Sequence, residues 1–367
     1  TGFTSVNPYF SSDGSTTFFQ TSDGGSPNHF LYTGTTGSAY NISSFTDFND
    51  IDAGVLSSDG STGLFVLDDG GAGSYYLVDL SDGSGEQITA QNGSFQTTRG
   101  TNGNAFDLSG DGQTVVYTTN DGGDLTFYRY TSGGGSVNLE TLDKLDPGNT
   151  TNTAARALNQ SGDTMLGDFL ENNTGGLADI GFTDGDPTDP NSIAKSSTAL
   201  PDNIGSIDFI TVTAASADAS YATVEFASND FADFNNYLLD VGTGSYTSIP
   251  TPDSNTYGSA NFIVNGISDD GSIIVGTIRS FDNGTDTAAV WTPGNGLEPL
   301  ADYLAREGVA GTGDWTLQEI NGISSDGTKL VGVGEINGET DAFLVDFNAD
   351  GNGDGNGDGD GDGDGDG

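Results

Sequence analysis

The chain of 367 residues has no cysteine, one histidine, one methionine and only 8 Lys plus Arg. Without cysteine it builds neither a disulfide framework nor a thiolate metal centre. With His29 as its single imidazole it cannot assemble a histidine-based triad, a multi-histidine zinc site or a facial-triad iron site. No run of about 18 apolar residues occurs, so the sequence shows no membrane-spanning helix. The few basic residues face 54 Asp plus Glu, a formal net charge of -46. A charge of that size repels nucleic acid and anionic membrane surfaces and favours divalent cations, which bridge carboxylates. The first residue is Thr1 and no apolar leader follows, so the expectation is an extracellular or cell-surface, secreted protein whose signal peptide has been removed.

Acidity of this degree also fits a disordered chain, but 10% of the residues are aromatic, with 21 Phe and 13 Tyr. These are core-building side chains, so most of the chain should fold. An internal repeat says how. An apolar residue followed by S-x-D-G recurs at Phe10-Ser-Ser-Asp-Gly14, Leu56-Ser-Ser-Asp-Gly60, Leu108-Ser-Gly-Asp-Gly112, Ile267-Ser-Asp-Asp-Gly271 and Ile323-Ser-Ser-Asp-Gly327. Degenerate copies stand at Leu158-Asn-Gln-Ser-Gly162 and Ala215-Ser-Ala-Asp-Ala219. The fourth motif residue therefore falls at positions 13, 59, 111, 161, 218, 270 and 326, in steps of 46 to 57 residues.

Each unit repeats an internal grammar. After the D-G turn comes a β-rich run such as Leu64-Phe-Val66 or Ile273-Ile-Val275, then a second turn such as Asp69-Gly70 or Asn337-Gly338. Asn-Gly and Asp-Gly accept the positive φ of tight hairpins. A third strand comes next (Tyr75–Val78, Phe127–Tyr130, Ala342–Val345), and then a weaker fourth (Gln87–Thr89, Tyr246–Ile249). The expected fold is all-β: a seven-bladed β-propeller of four-stranded blades over residues 1–347. One short helix, Leu297–Gly308, should lie between blades six and seven, and a Gly/Asp-rich tail occupies 348–367. The last unit runs into that tail without a fourth strand, while Gly2–Val6 precedes the first motif, so this segment is expected to complete the last blade. A β-solenoid is the rival, though its coils are usually much shorter than about 50 residues.

Asn265–Gly276, the helix Leu300–Gly308 and Trp315–Gly332 resemble bacterial extracellular HAF-type repeat proteins over about 261–347, and the earlier units are loosely similar to S-x-D-G propellers of the TolB kind. The resemblance implies an exported repeat protein that binds partners, and it carries no catalytic residue with it.

The motif acids Asp13, Asp59, Asp111, Asp270 and Asp326 sit beside glycine and are read as turn-formers. A carboxylate pair for glycoside hydrolysis would need acids outside this grammar, of which Glu225 and Glu335 are candidates. Trp291 and Trp315 are read as packing residues, with sugar stacking as the alternative, and His29 as a surface residue at a strand start. The strongest metal pattern is in the tail, where Asp350–Gly355 and Asp354–Gly359 both fit the first half of a calcium loop. The candidate ligands are Asp350, Asn352, Asp354, Asn356, Asp358, Asp360, Asp362, Asp364 and Asp366, with calcium as the cofactor. The twelfth position is Gly361 rather than a bidentate Glu, so the segment is not an EF-hand and looks more like thrombospondin type 3 loops. A flexible acidic linker is the competing reading. The expected function is a non-enzymatic structural or assembly protein of the cell surface or matrix, partnered with itself head to tail. A glycan- or protein-binding propeller is the alternative, and a glycoside hydrolase the remote one.

Overall fold

The computed structural model describes residues 4–22, 28–33, 38–41, 51–67, 74–90, 94–95, 106–121, 124–138, 154–170, 178–181, 209–227 and 234–348. Within them the chain forms seven antiparallel sheets, one per sequence repeat. The first is β1 (Thr4–Phe10), β2 (Thr16–Ser22), β3 (Asn28–Thr33) and β4 (Ser38–Asn41), and the second is β5 (Ile51–Leu56), β6 (Thr62–Leu67), β7 (Ser74–Asp79) and β8 (Gly85–Ile88). In the third, β10 (Phe106–Leu108), β11 (Thr114–Asp121), β12 (Asp124–Thr131) and β13 (Gly135–Asn138) run in order, and β9 (Ser94–Phe95) adds to β11 as a fifth strand. The fourth has three strands, β14 (Ala154–Leu158), β15 (Met165–Leu170) and β16 (Ala178–Gly181). The fifth is β17 (Phe209–Ala215), β18 (Tyr221–Ala227), β19 (Phe234–Asp240) and β20 (Ser245–Ile249). A four-residue helix α1 (Ser254–Tyr257) leads into the sixth sheet, β21 (Ala260–Ile267), β22 (Ile274–Ser280), β23 (Asp286–Thr292) and β24 (Gly296–Pro299). Helix α2 (Leu300–Arg306) then precedes the last sheet, β25 (Trp315–Ile323), β26 (Lys329–Ile336) and β27 (Glu339–Asp346).

Among the described residues five sheets carry four strands or more and two carry three, so the four-strand expectation holds in the first, second, fifth and sixth units and is exceeded in the third. The helix lies between the sixth and seventh sheets, as expected, but Leu297–Pro299 belong to β24 and the helix proper starts at Leu300. Helix α1 is not marked by any periodicity in the sequence.

The closure expectation is overturned. Thr4, Ser5 and Val6 pair with Ser22, Thr21 and Gln20 of the same unit, not with the last sheet. The segment before each motif is the first strand of that motif's own sheet, so Gly2–Val6 is not a surplus strand (Gly2 itself lies outside the described residues). Among the described residues the last sheet has three strands.

The S-x-D-G motif forms the hairpin between first and second strands in every described unit, and its chemistry is repeated. In the first, Ser11 Oγ donates to Asp13 Oδ1 at 2.7 Å, Ser15 N–H donates to the same oxygen at 2.8 Å, and Thr16 N–H donates to Ser11 Oγ at 3.0 Å. The last unit repeats these with Ser324, Asp326, Thr328 and Lys329 at 2.7 to 3.0 Å. Where Ser is replaced by Asn159, its Oδ1 accepts the Thr164 N–H at 3.0 Å instead. Burial alone would raise the carboxyls of Asp59, Asp218 and Asp326. Hydrogen bonds from Ser61 and Ser57, Ser220 and Ser216, and Ser324 and Thr328 outweigh it and hold all three below the usual range. Asp13, Asp59, Asp111, Asp270 and Asp326 each accept the amide that follows their glycine, so they are turn-formers as the sequence suggested, and Asp218 does the same for the amide after Ala219.

Neighbouring turns also bind one another. Asp13 N–H donates to Ser58 O, Ser58 N–H to Gly110 O, Asp111 N–H to Gln160 O and Asp269 N–H to Ser325 O, at 2.8 to 2.9 Å. Ser325 N–H donates to Ser12 O at 2.7 Å, and Lys329 Nζ donates to Gly14 O at 2.9 Å, so the last unit grips the first by the same device. A Lys329→Met substitution keeps the aliphatic stem over Gly14 but deletes the bond, which should cost roughly 1.5 kcal/mol, the low end for a charge-assisted hydrogen bond. Urea unfolding of the variant beside the wild type measures it.

The apolar cores lie between consecutive sheets. Phe18 packs with Leu56, Phe65 and Val78 between the first two, and Tyr75 meets Phe106 and Tyr117 between the second and third, with ring centroids 5.2 and 6.0 Å apart. Between the last two sheets, Leu300, Tyr303 and Leu304 of α2 close over Val275, Val290, Phe343 and Val345. Trp291 is 3% exposed in the core between the fifth and sixth sheets, and half-buried Trp315 packs edge-on against Phe343 at 6.0 Å. Both tryptophans pack against neighbouring apolar side chains, in keeping with their reading as packing residues.

Candidate functional site

The first strands of all seven sheets line one cavity of about 260 Å³. Its walls include Phe10, Val55, Leu108, Ala157, Thr213, Asn265 and Asn321, one from each sheet, so it lies where the sheets converge. The residues between Ser and Asp of the motif, Ser12, Ser58, Gly110, Ala217, Asp269 and Ser325, form one end of it. Ser58 Oγ donates across that end to Gln160 Oε1 at 2.5 Å, and a side chain on Gly110 would fall onto both groups.

Two carboxyls stand in the lining. Asp107, on β10, is half-buried, and its Oδ2 accepts the Leu158 N–H of the next sheet at 2.7 Å. Burial pushes its carboxyl up to about 7, against the lowering pull of the Leu158 and Leu108 amides. Asp269 accepts the Ala217 N–H of the preceding sheet at 2.8 Å, and its carboxyl is raised chiefly by burial, with the Asp218 and Asp270 charges adding to it. No Lys, Arg or His is among the described residues that line the cavity. Each acid bridges two sheets through a backbone N–H.

Neither acid stands out in the sequence by type or by local pattern. The available signal is alignment on the motif. At the position of Asp107 the other six units have Tyr9, Val55, Ala157, Ala214, Gly266 and Gly322, and at that of Asp269 they have Ser12, Ser58, Gly110, Gln160, Ala217 and Ser325.

The sequence-expected sites fare differently. Glu225 on β18 is 6% exposed and accepts a hydrogen bond from Asn261 Nδ2 at 3.1 Å, inside a sheet-to-sheet contact away from the cavity. Glu335 is exposed on β26. The two are not brought together at a site. His29 is the second residue of β3, opposite Gln20, and its side chain lies outside the described residues. The calcium candidates Asp350, Asn352, Asp354, Asn356, Asp358, Asp360, Asp362, Asp364 and Asp366 all lie outside the described residues, and among the described ones no group of three or more His, Cys, Asp or Glu could hold a metal ion.

No family model matches the chain, and no curated protein does. Solved structures do match. The β-propeller domain of the trilobed protease from Pyrococcus furiosus, described as having an open velcro topology, covers 94% of this chain and 96% of its own length at 11% identity, with a TM-score of 0.59. The fold is a β-propeller. An oligogalacturonate lyase from Vibrio parahaemolyticus superposes over 94% of this chain and 91% of that one at 11% identity and a TM-score of 0.58. An acylaminoacyl peptidase from Pyrococcus horikoshii covers 94% of this propeller at 10% identity and a TM-score of 0.56, and the match takes in 51% of that enzyme. At such identities the likeness concerns the fold.

Proposed function

We propose that this propeller is a non-enzymatic structural or assembly module of the cell surface or matrix, its seven sheets acting as the blades of one ring. The observation that carries the reading is where its repeated acids go: the motif carboxylates are held by hydroxyls and amides of their own turns, and the two cavity acids hold neighbouring sheets together. The acidic side chains are structural parts of the ring, and the large residual charge then acts as a surface property. A surface charged to this degree repels other copies unless cations intervene.

Calcium is the cation proposed, with Asp350, Asn352, Asp354, Asn356, Asp358, Asp360, Asp362, Asp364 and Asp366 as ligands. Each ion takes about six to eight oxygens, more than a short segment supplies with ease, so carboxylates of a second copy complete the shell and link tail to body. Light scattering should rise on adding calcium, fall on adding EDTA, and stay flat after deletion of 350–367. Calcium-independent scattering in both chains would leave the segment as a linker. Turnover on a polysaccharide or ester panel, lost with one Asp or Glu substitution, would replace this reading with an enzymatic one.

The cavity favours a second reading, a module that binds a glycan or protein through the propeller face around its mouth. A glycan array separates the two, because the assembly reading expects no glycan-specific signal.

A further inference from the structure

The outer edge of β27 has no partner strand among the described residues. In five other sheets that edge is covered by β4, β8, β13, β20 or β24. The turn into a fourth strand nevertheless begins alike in the last sheet. Leu80, Ser132 and Val241 donate their N–H to Ser61, Gln113 and Ser220 carbonyls at 2.8 to 2.9 Å, and Phe347 donates to Thr328 O at 2.9 Å. Asp79 Oδ1 takes the Ser81 N–H at 2.8 Å, and Asp346 Oδ1 takes the Asn348 N–H at 2.9 Å. The chain after this turn has a different composition. Residues 350–367 are Gly, Asp and Asn only, types depleted in strands, with no apolar side chain to lay on a sheet.

The other sheets show what the missing strand would do. Fourth strands β8 and β20 place Ile88 and Ile249, 1% and 3% exposed, opposite Tyr75 and Asn236. Aligned on the motif, the equivalent position on β27 is Ala342, which is half-buried. Leu344, beside it, is 48% exposed, whereas its counterparts Leu77 and Leu238 are 6% and 8% exposed. The edge is also acidic: Glu339 and Asp341 are exposed on β27, and Asp346 ends it.

We propose that the β27 edge docks an extended, basic segment of another polypeptide, which adds as a fourth antiparallel strand and places a β-branched apolar residue opposite Ala342. Main-chain groups turned to the open edge supply the ladder, as in other strand-addition complexes. Charge selects the partner. A second copy would bring Glu339 and Asp341 against the same acids, whereas Lys or Arg flanking the incoming strand pairs with them. This site needs neither calcium nor the 350–367 segment, so its test is run on the full chain in EDTA.

The probe is a labelled peptide with the β20 sequence Ser-Tyr-Thr-Ser-Ile between lysine pairs, followed by fluorescence anisotropy. Replacing its central Thr by Pro should weaken binding at least tenfold, because a ladder donor is lost. Because the chain has no cysteine, an Ala342→Cys variant offers a single thiol. In a glutathione redox buffer, with oxidised glutathione taking the two electrons, a peptide carrying Cys in place of Ile should form a disulfide there at least tenfold faster than with an Asn295→Cys control. Equal binding of the parent and Pro peptides would mean charge alone, and equal trapping at 342 and 295 would mean no register. Either result overturns the proposal, as does cross-linking of two Ala342→Cys chains to each other in preference to the peptide.

Discussion

Replacing Gly112 by alanine should destabilise the protein by about 3 kcal/mol, whereas Gly133→Ala should cost about 1 kcal/mol. Both glycines have positive φ, +73° and +69°, so both substitutions incur the left-handed penalty of roughly 1–2 kcal/mol. They differ in what a methyl group would meet. At Gly133 nothing lies within 4 Å. At Gly112 a Cβ would sit 2.6 Å from Thr62 Oγ1 and 2.8 Å from Thr62 Cβ, and the latter cannot swing aside. Overpacking of this kind costs a further 1–3 kcal/mol. The contact is a property of the repeat. Gly162 would meet Thr114, Gly271 would meet Tyr221, Gly327 would meet Ile273, and Gly14 would meet Lys329 across the closure. Each motif glycine is the seat for a side chain of the preceding sheet. Urea denaturation of the two variants tests this, and equal losses would show that the turn conformation alone selects glycine.

That double duty explains how much of the fold is legible in the sequence. A turn needing Ser for the amide at the second strand, Asp for the amide after Gly, and Gly for both φ and clearance leaves few alternatives, so the motif marks each sheet. Its one departure at the last position, Ala219, keeps φ at +58° with its methyl buried in the core of the fourth and fifth sheets. The segments away from the turn are less constrained. Ser94–Phe95 pair with β11 although two residues carry no periodicity. Counting Gly2–Val6 as surplus fails because every motif is preceded by its own first strand, such as Phe106–Leu108. The cavity acids are hidden for a different reason: among 54 Asp and Glu one more acid does not stand out, and only its position relative to the motif separates Asp107 from the turn-formers. The edge of β27 is legible in part, since the Gly, Asp and Asn composition of 350–367 is plain, but its place in the last sheet is not.

Asp107→Asn should stabilise the protein at pH 8 by about 2 kcal/mol or more and change little at pH 3.5. The wild-type carboxyl is raised to about 7 by burial, from an ordinary value of 3.8. Its folded form therefore holds a proton that the unfolded chain has released between those two values, and stability falls as pH rises through the window. Above about pH 7 the full penalty applies, bounded near 4 kcal/mol at about 1.4 kcal/mol per unit. The bound is not reached, because the cavity admits some solvent and the asparagine amide must find a place beside the Leu108 N–H. Asn keeps an Oδ1 that accepts the Leu158 N–H, so the bridge between the third and fourth sheets survives. The acidic background also destabilises the chain as pH rises, but it is common to both proteins and cancels in their difference. Thermal unfolding of the pair at half-unit steps from pH 3.5 to 8 gives the curve directly. A difference that opens between about pH 4 and 7 and then stays level marks a buried carboxyl at the cavity wall. A difference that is flat with pH, or that favours the wild type at pH 8, would show that Asp107 is solvated and ionised there.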